Sequence, residues 1–194
     1  MWAASAPARA HLARGLALAD SWATDGHKWL NVPYDCGFVF VRDSDALFRA
    51  MRMHADYLPS GDEWEPLHWT PDASRRARGI EVWAAIKSLG RTGVADLVER
   101  TCRHAARFAD RLRNAGFEIL NEVVINQVLV SFGGDERTKA VIEAVQRDGT
   151  CWCGGTFWHG RYAMRISVSS WATTEEDVEV SAAAIIREAN RAER

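Results

Sequence analysis

Apolar and polar positions change their period along this chain, and each change marks an element. From Pro7 to Leu18 they recur at helical spacing, with Leu12, Leu16 and Ala19 along one side and Pro7 at the first turn. Trp22–Thr24 then reads as a short strand, broken by Asp25-Gly26, which leaves His27 and Lys28 on a turn. Gly37–Val41, GFVFV, is a second and strongly apolar strand. Two strands of this kind, buried on both faces, suit the sheet of an α/β domain. Ser44 is placed to cap a helix that runs to about Met53.

The connection over 54–74 contains Pro59, Gly61, Pro66 and Pro71, together with Tyr57, Trp64, His68 and Trp69. A loop this long inside a compact domain is functional or mobile, and its tryptophans argue against a bare surface. A lid or a subunit contact is the expectation. Helical spacing returns over Arg76–Leu89, with Ile80, Trp83, Ala84 and Ile86 facing inward. It resumes over Gly93–Ala115 through Val94, Leu97, Val98, Cys102, Ala105, Phe108, Ala109 and Leu112. Gly90 to Gly93 allows a bend between the two, and Gly116 is a natural C-terminal cap. His104, among charged neighbours, reads as a solvated histidine.

After Phe117 the pattern becomes β–β–α–β–β–α. Strands are expected at Phe117–Leu120, Gln127–Phe132, Thr150–Trp158 and Tyr162–Ser169, and helices at Thr138–Arg147 and Thr174–Arg191. Thr173 and Glu176 have capping-box spacing for the last helix. This half reads as a small α+β domain, with helices on one face of a mostly antiparallel sheet.

Composition narrows the function without naming it. The 194 residues are 47% hydrophobic and 26% charged, ordinary values for a globular chain. A net charge of −2 with interspersed signs offers no basic field for nucleic acid or an anionic membrane. No apolar run has the length of a membrane span, and the N-terminal segment carries Arg9, His11 and Arg14 where an export signal would be apolar. The expected location is the cytoplasm. Cys36 and Cys102 read as small buried hydrophobes. Cys151-Trp152-Cys153, placed on a strand, would turn both thiols to one face. Two thiols with only His159 nearby do not complete a tetrahedral zinc site, so the pair reads as structural and no metal is expected.

Lys28 stands out chemically, since arginine supplies most of the positive charge and this lysine is flanked by His27, Trp29 and Leu30. Such surroundings suit a desolvated amine of lowered pKa that attacks a carbonyl, and equally a lysine whose stem lies along an apolar surface. The spacing of Ser21-Trp22, Lys28-Trp29-Leu30, Tyr34, Cys36, Val39 and Arg42 resembles, at every specified position, the cofactor-lysine signature of the group II pyridoxal-phosphate-dependent decarboxylases. The aromatic amino acid, histidine, tyrosine and glutamate decarboxylases belong to that family. The segments 74–83, 126–132 and 164–171 continue the likeness more loosely towards the C-terminus.

The resemblance implies a fold-type I α/β chain. Residues 1–116 would be the C-terminal part of the large cofactor-binding domain, and 117–194 the small α+β domain. It implies pyridoxal 5'-phosphate as cofactor, a small amino acid as substrate, and a homodimer in the intact protein. Lys28 would hold the cofactor covalently, His27 would lie near it, and Arg165 would pair with the substrate α-carboxylate. Well-known members carry Asn-Pro-His-Lys where this chain has Asp25-Gly26-His27-Lys28, and since an Asp side chain would repel the cofactor phosphate, Asp25 is expected to contribute backbone or to point away from it. The loop at 54–74 matches by position a family loop whose tyrosine protonates the substrate carbon. Here Pro66-Leu67 stands at that place and Tyr57 lies near the loop's start. The acid facing the pyridinium nitrogen and the phosphate-binding loop belong, in the family, to the region upstream, so this stretch by itself is expected to be a poor catalyst.

Overall fold

The computed structural model describes residues 1–53 and 64–192. The first turn, α1 (Trp2–Ser5), is followed by 3-10 turns at Pro7–Ala13 and Leu16–Leu18. The expected continuous helix over 7–18 is therefore absent. Gly15, at φ 85°, interrupts it, and Leu12 and Leu18 lie exposed.

β1 (Ser21–Asp25) and β2 (Gly37–Val41) pair antiparallel, with Ser21 opposite Val41 and Asp25 opposite Gly37. Between them the chain makes one helical turn, α2 (Gly26–Trp29), which carries the lysine. Among the described residues this is a two-stranded ribbon. The expectation of strands buried on both faces is corrected accordingly: Val39 and Phe40 are exposed, since neither edge of the ribbon has a neighbour. α3 (Ser44–Met51) is capped by Asp43, whose carboxylate accepts from Ala46 N–H, and not by Ser44. A 3-10 turn at Pro66–His68 sits against α3, with the Phe48 ring edge-on to His68 and tilted against Trp69.

The two expected helices form one long element, α4 (Gly79–Asn114), bent at Gly90, where φ 63° and ψ −176° leave the helical region. Its first half corrects the predicted face. Ile80, Trp83, Ala84 and Ile86 are exposed, and Val82 and Ala85 pack instead on Leu30, Val32, Cys36 and Phe38. The stretch is apolar on more than one side, so periodicity could not say which stripe meets a partner. The second half behaves as expected, with Leu97, Val98, Cys102, Ala105, Phe108, Ala109 and Leu112 buried. It ends in a Schellman motif: Gly116, at φ 90°, donates to the Arg113 carbonyl and Phe117 donates to that of Leu112. His104 is buried and not solvated; its Nε2 has no partner, and loss of hydration holds its pKa below the ordinary value.

Beyond the cap, β3 (Glu118–Ile119), β4 (Gln127–Ser131), β5 (Gly154–Trp158) and β6 (Arg161–Ser167) form an antiparallel sheet ordered β3-β4-β6-β5. α5 (Asp135–Asp148) and α6 (Glu175–Arg191) pack with the end of α4 over one face. The main core lies between them, from Ala105 and Leu112 through Val128, Val130, Val145 and Met164 to Val178 and Ile185. The capping box is present one residue later than expected: Thr174 accepts from Asp177 N–H while Asp177 accepts from Thr174 N–H.

Two smaller clusters tie the lysine turn to this framework. Trp29 packs with Ala6, Leu97, Val98 and Cys102, and its indole N–H donates to the buried Thr101 hydroxyl at 2.8 Å. Replacing Thr101 with valine keeps the volume and leaves that indole N–H buried without an acceptor. Chemical denaturation of Thr101→Val should show a loss of about 1–3 kcal/mol.

Candidate active site

The site is assembled by three short stretches distant in sequence. The turn α2 projects Lys28 from the end of the ribbon. Gly26 is required at its start, because a Cβ there would come 2.8 Å from Cζ of Phe38 and 3.2 Å from Sγ of Cys36. The turn is then held from both sides. Trp29 anchors it to α4, and Asn31, at φ 58°, donates to the carbonyls of Trp29 and Ser169 and accepts from Trp171 N–H. The lysine turn is thus bonded directly to the chain just past β6.

β6 supplies the opposite wall. Its alternation buries Met164 and Ile166 in the core and turns Arg165 and Ser167 to the other face. β4 lies beside it in register, Gln127 opposite Ser167 and Leu129 opposite Arg165. The result is a cavity of about 490 Å³ lined by Lys28, Asp25 and Thr24 on one side and by Arg165, Gln127 and Asn126 on the other. Asn126 is fixed by a reciprocal pair of bonds with Val168, each 2.9 Å. Arg165 lines this space from the sheet side, opposite Lys28 and Asp25.

Electrostatics at the lysine separate the two readings of its surroundings. The Lys28 side chain is 63% exposed, and its amine lies 2.5 Å from Oδ2 of Asp25. Hydrogen bonding to that carboxylate raises the lysine pKa, and the same bond lowers that of Asp25; Arg165 opposes the rise only weakly. Of the two readings of Lys28, the desolvated amine of lowered pKa is not the one found: the side chain is a largely exposed ammonium paired with Asp25. The sequence cue was present, since Asp25 and Lys28 are one helical turn apart. His27 is turned from the cavity. Its Nδ1 sits against the Cys36 backbone, 3.0 Å from the amide nitrogen and 2.9 Å from the carbonyl oxygen, and Nε2 lies 4.0 Å from Oδ1 of Asp25. Its ring lies tilted against Tyr34 with centroids 4.0 Å apart.

The cavity thus joins Lys28 with Arg165 and leaves His27 behind the turn. Asn126, Gln127 and Thr24 were not picked out beforehand; polar residues on a strand carry no mark of which neighbour they will face. Tyr57 lies outside the described residues, and Pro66 and Leu67 lie on the turn against α3. Among the described residues no group of three or more His, Cys, Asp or Glu side chains is placed to hold a metal ion, and no helix is long and apolar enough to cross a membrane.

Comparison with known proteins agrees with the signature. The model of the pyridoxal-dependent decarboxylase conserved domain matches residues 3–133. Aromatic-L-amino-acid decarboxylase of Drosophila lebanonensis is 29% identical over 182 residues, 90% of this chain and 45% of that protein. Histidine decarboxylase of Drosophila melanogaster is 31% identical over 170 residues, 85% of this chain and 20% of that protein. The chain therefore spans less than half the length of these relatives. The crystal structure of Oryza sativa TDC with PLP and tryptamine superposes with a TM-score of 0.90 at 21% identity, over 98% of this chain and 42% of that one. At that identity the likeness concerns the fold, and it bears out a partial fold-type I α/β chain.

Replacing Asp25 with asparagine removes the charge that stabilises the Lys28 ammonium. The lysine pKa should fall, and more of the amine should be neutral at any pH below it. Labelling of Lys28 by an aldehyde probe, followed against pH, should therefore shift to lower pH in Asp25→Asn.

Proposed function

Because this chain belongs to the pyridoxal-dependent decarboxylase family, we propose that it supplies the cofactor-lysine part of a pyridoxal-phosphate-dependent amino-acid decarboxylase. One observation carries the reading: Lys28 and Arg165, from opposite ends of the chain, line the same cavity. An amine that can condense with an aldehyde and a guanidinium that can bind a carboxylate are what a cofactor and an α-amino acid require side by side. The space, about 490 Å³, is in the range of small-molecule sites.

The residues present fit the lysine end of pyridoxal phosphate. Lys28 would hold it covalently, and His27, held at Nδ1 by the Cys36 backbone, would support the turn from behind. When bound, the cofactor supplies the electron sink that lets a substrate Cα release its carboxylate. The chain's own residues have separate tasks. Asp25 keeps Lys28 protonated and oriented, so the amine acts as a nucleophile only after that hydrogen bond opens and the proton leaves. Arg165 receives the α-carboxylate in its planar fork, which fixes the direction of the bond to be broken. Asn126 and Gln127 line the wall between them with amide donors and acceptors. The exposed Ile80, Trp83 and Ile86 on α4 suit a surface that is covered in a longer protein or a homodimer. A cytoplasmic location and a division near residue 116 into a large-domain part and a small domain belong to the same reading.

Incubation with pyridoxal phosphate, borohydride reduction and peptide mapping tests the assignment. The pyridoxyl group should be on Lys28 and should vanish in Lys28→Ala. A label on Lys87 or Lys139 instead would sink the proposal. Where turnover is measured, amine and CO2 are the expected products; an aldehyde with ammonia would assign a different outcome at Cα, in keeping with Pro66-Leu67 at the expected tyrosine position.

Arg165→Ala should leave borohydride labelling of Lys28 intact. Binding of a carboxylate-bearing substrate should weaken about 10- to 100-fold, the equivalent of one charge-assisted pair. Arg165→Lys should recover part of the loss, since charge returns without the fork. The decarboxylated amine, which has no carboxylate, should bind all three proteins equally.

A further inference from the structure

Lys28 and Arg165 belong to different elements, and neither element fixes the span between them. α2 is a single helical turn, and β6 ends at Ser167. Asn31, one turn past Lys28, bridges the two. Its Nδ2 donates to the Trp29 carbonyl at 2.7 Å and to the Ser169 carbonyl at 2.9 Å, and its Oδ1 accepts from Trp171 N–H at 3.2 Å. Among the described residues, the bonds to Ser169 and Trp171 are the hydrogen bonds that join residues 21–41 to residues 161–173. Ser169 lines the cavity on the same stretch of chain as Arg165 and Ser167.

The Asn31 amide pairs with that stretch as a peptide unit would. Two carbonyls face its nitrogen and one N–H faces its oxygen, so each contact has its complement and the group has one orientation. Asn31 also stands at φ 58°, the left-handed region that asparagine enters more readily than most residues. Backbone and side chain therefore have separable roles. The left-handed residue redirects the chain after α2, and the amide fastens it beyond the end of β6. Glycine keeps the first role and loses the second. Aspartate keeps the shape and the acceptor for Trp171 N–H, but it loses both donors and sets a carboxylate oxygen against two carbonyls. Arg100 holds the same stretch from α4, donating to the carbonyls of Trp171 and Thr173 at 2.9 and 3.3 Å, so the stretch stays in place when Asn31 lets go.

We propose that Asn31 is a positioning residue that sets the span between the Lys28 amine and the Arg165 guanidinium. This role rests on the reading of those two groups as the ends of one substrate site. A ligand held at both ends gains from the second contact only when its length matches the span, and a loose span spreads a smaller gain over many lengths. Without the amide, α2 keeps its anchor through Trp29 and Thr101, and Arg165 keeps its register on β6. Neither of those contacts fixes one against the other. The lysine still condenses with an aldehyde and the arginine still binds a carboxylate. Their joint selection of a ligand by length is lost.

The test takes the native chain, Asn31→Gly, Asn31→Asp and Ser170→Ala. Each is incubated with a series of ω-oxo acids of increasing chain length, which carry an aldehyde at one end and a carboxylate at the other, and with neutral aldehydes of the same lengths. Borohydride traps the imine formed with loss of water, and peptide mapping reads the label on Lys28. In the native chain one acid length should exceed its neutral counterpart by about tenfold or more, with the gain falling away on either side. Both Asn31 variants should take the neutral aldehydes at Lys28 within about twofold of the native chain, and the acids should gain at most about threefold, evenly over the lengths. Ser170→Ala removes a hydroxyl that accepts from Ala172 N–H in the same stretch, and it should keep the native profile. A sharp length profile retained in Asn31→Gly or Asn31→Asp would overturn the positioning role alone, as would its loss in Ser170→Ala. A native chain without length preference would overturn the shared substrate site and the positioning role together.

Discussion

The arrangement depends on how one helical turn is clamped. Four residues, Gly26–Trp29, carry the lysine, and a helix that short has no stability of its own. It is held because Trp29 inserts between α1 and α4 with its indole N–H satisfied by Thr101, and because Asn31 bonds to the chain on the far side of β6. The first contact sets the turn against the long helix. The second sets it against the sheet that holds Arg165. Without both, the amine and the guanidinium would belong to separate pieces of chain.

Within that clamp, β6 divides its labour by strand geometry. Met164 and Ile166 complete the core under α5 and α6, and Arg165 and Ser167 are thereby delivered to the opposite face. A slip of one residue would bury the guanidinium and expose the core, so packing energy itself holds Arg165 in position. The lysine side is looser. Lys28 is largely exposed and steered by Asp25 through a surface ion pair, which orients the amine more than it stabilises the fold.

The same framework explains where apolar surface is left open. Among the described residues the ribbon has free edges, and the first half of α4 turns Ile80, Trp83 and Ile86 to solvent while Val82 and Ala85 make its contacts. The C-terminal sheet, with three helical segments over one face, has a closed core in which Val128, Val130, Val141, Val145, Met164 and Ile185 are fully buried. The larger core thus lies in the C-terminal layer, and the lysine-bearing segment is joined to it through smaller clusters.

The sequence by itself determined the local elements with strong periodic or capping signals: GFVFV as a strand, the face from Leu97 to Leu112, the Gly116 cap, the β–β–α–β–β–α order, and the spacing around Lys28 that identifies the family. Each depends on neighbours a few residues away, so each is written in a short window. The bend at Gly90 was legible for the same reason. The tertiary structure alone decided which stripe of an apolar helix meets a partner, whether the ribbon strands are covered, and that His104 is buried. It also decided that His27 turns back to Cys36, and that Gln127 and Asn126 share a cavity with Arg165. Those outcomes depend on which surface arrives opposite a side chain, and the arrival is set by core packing across the whole chain, which no window of residues contains.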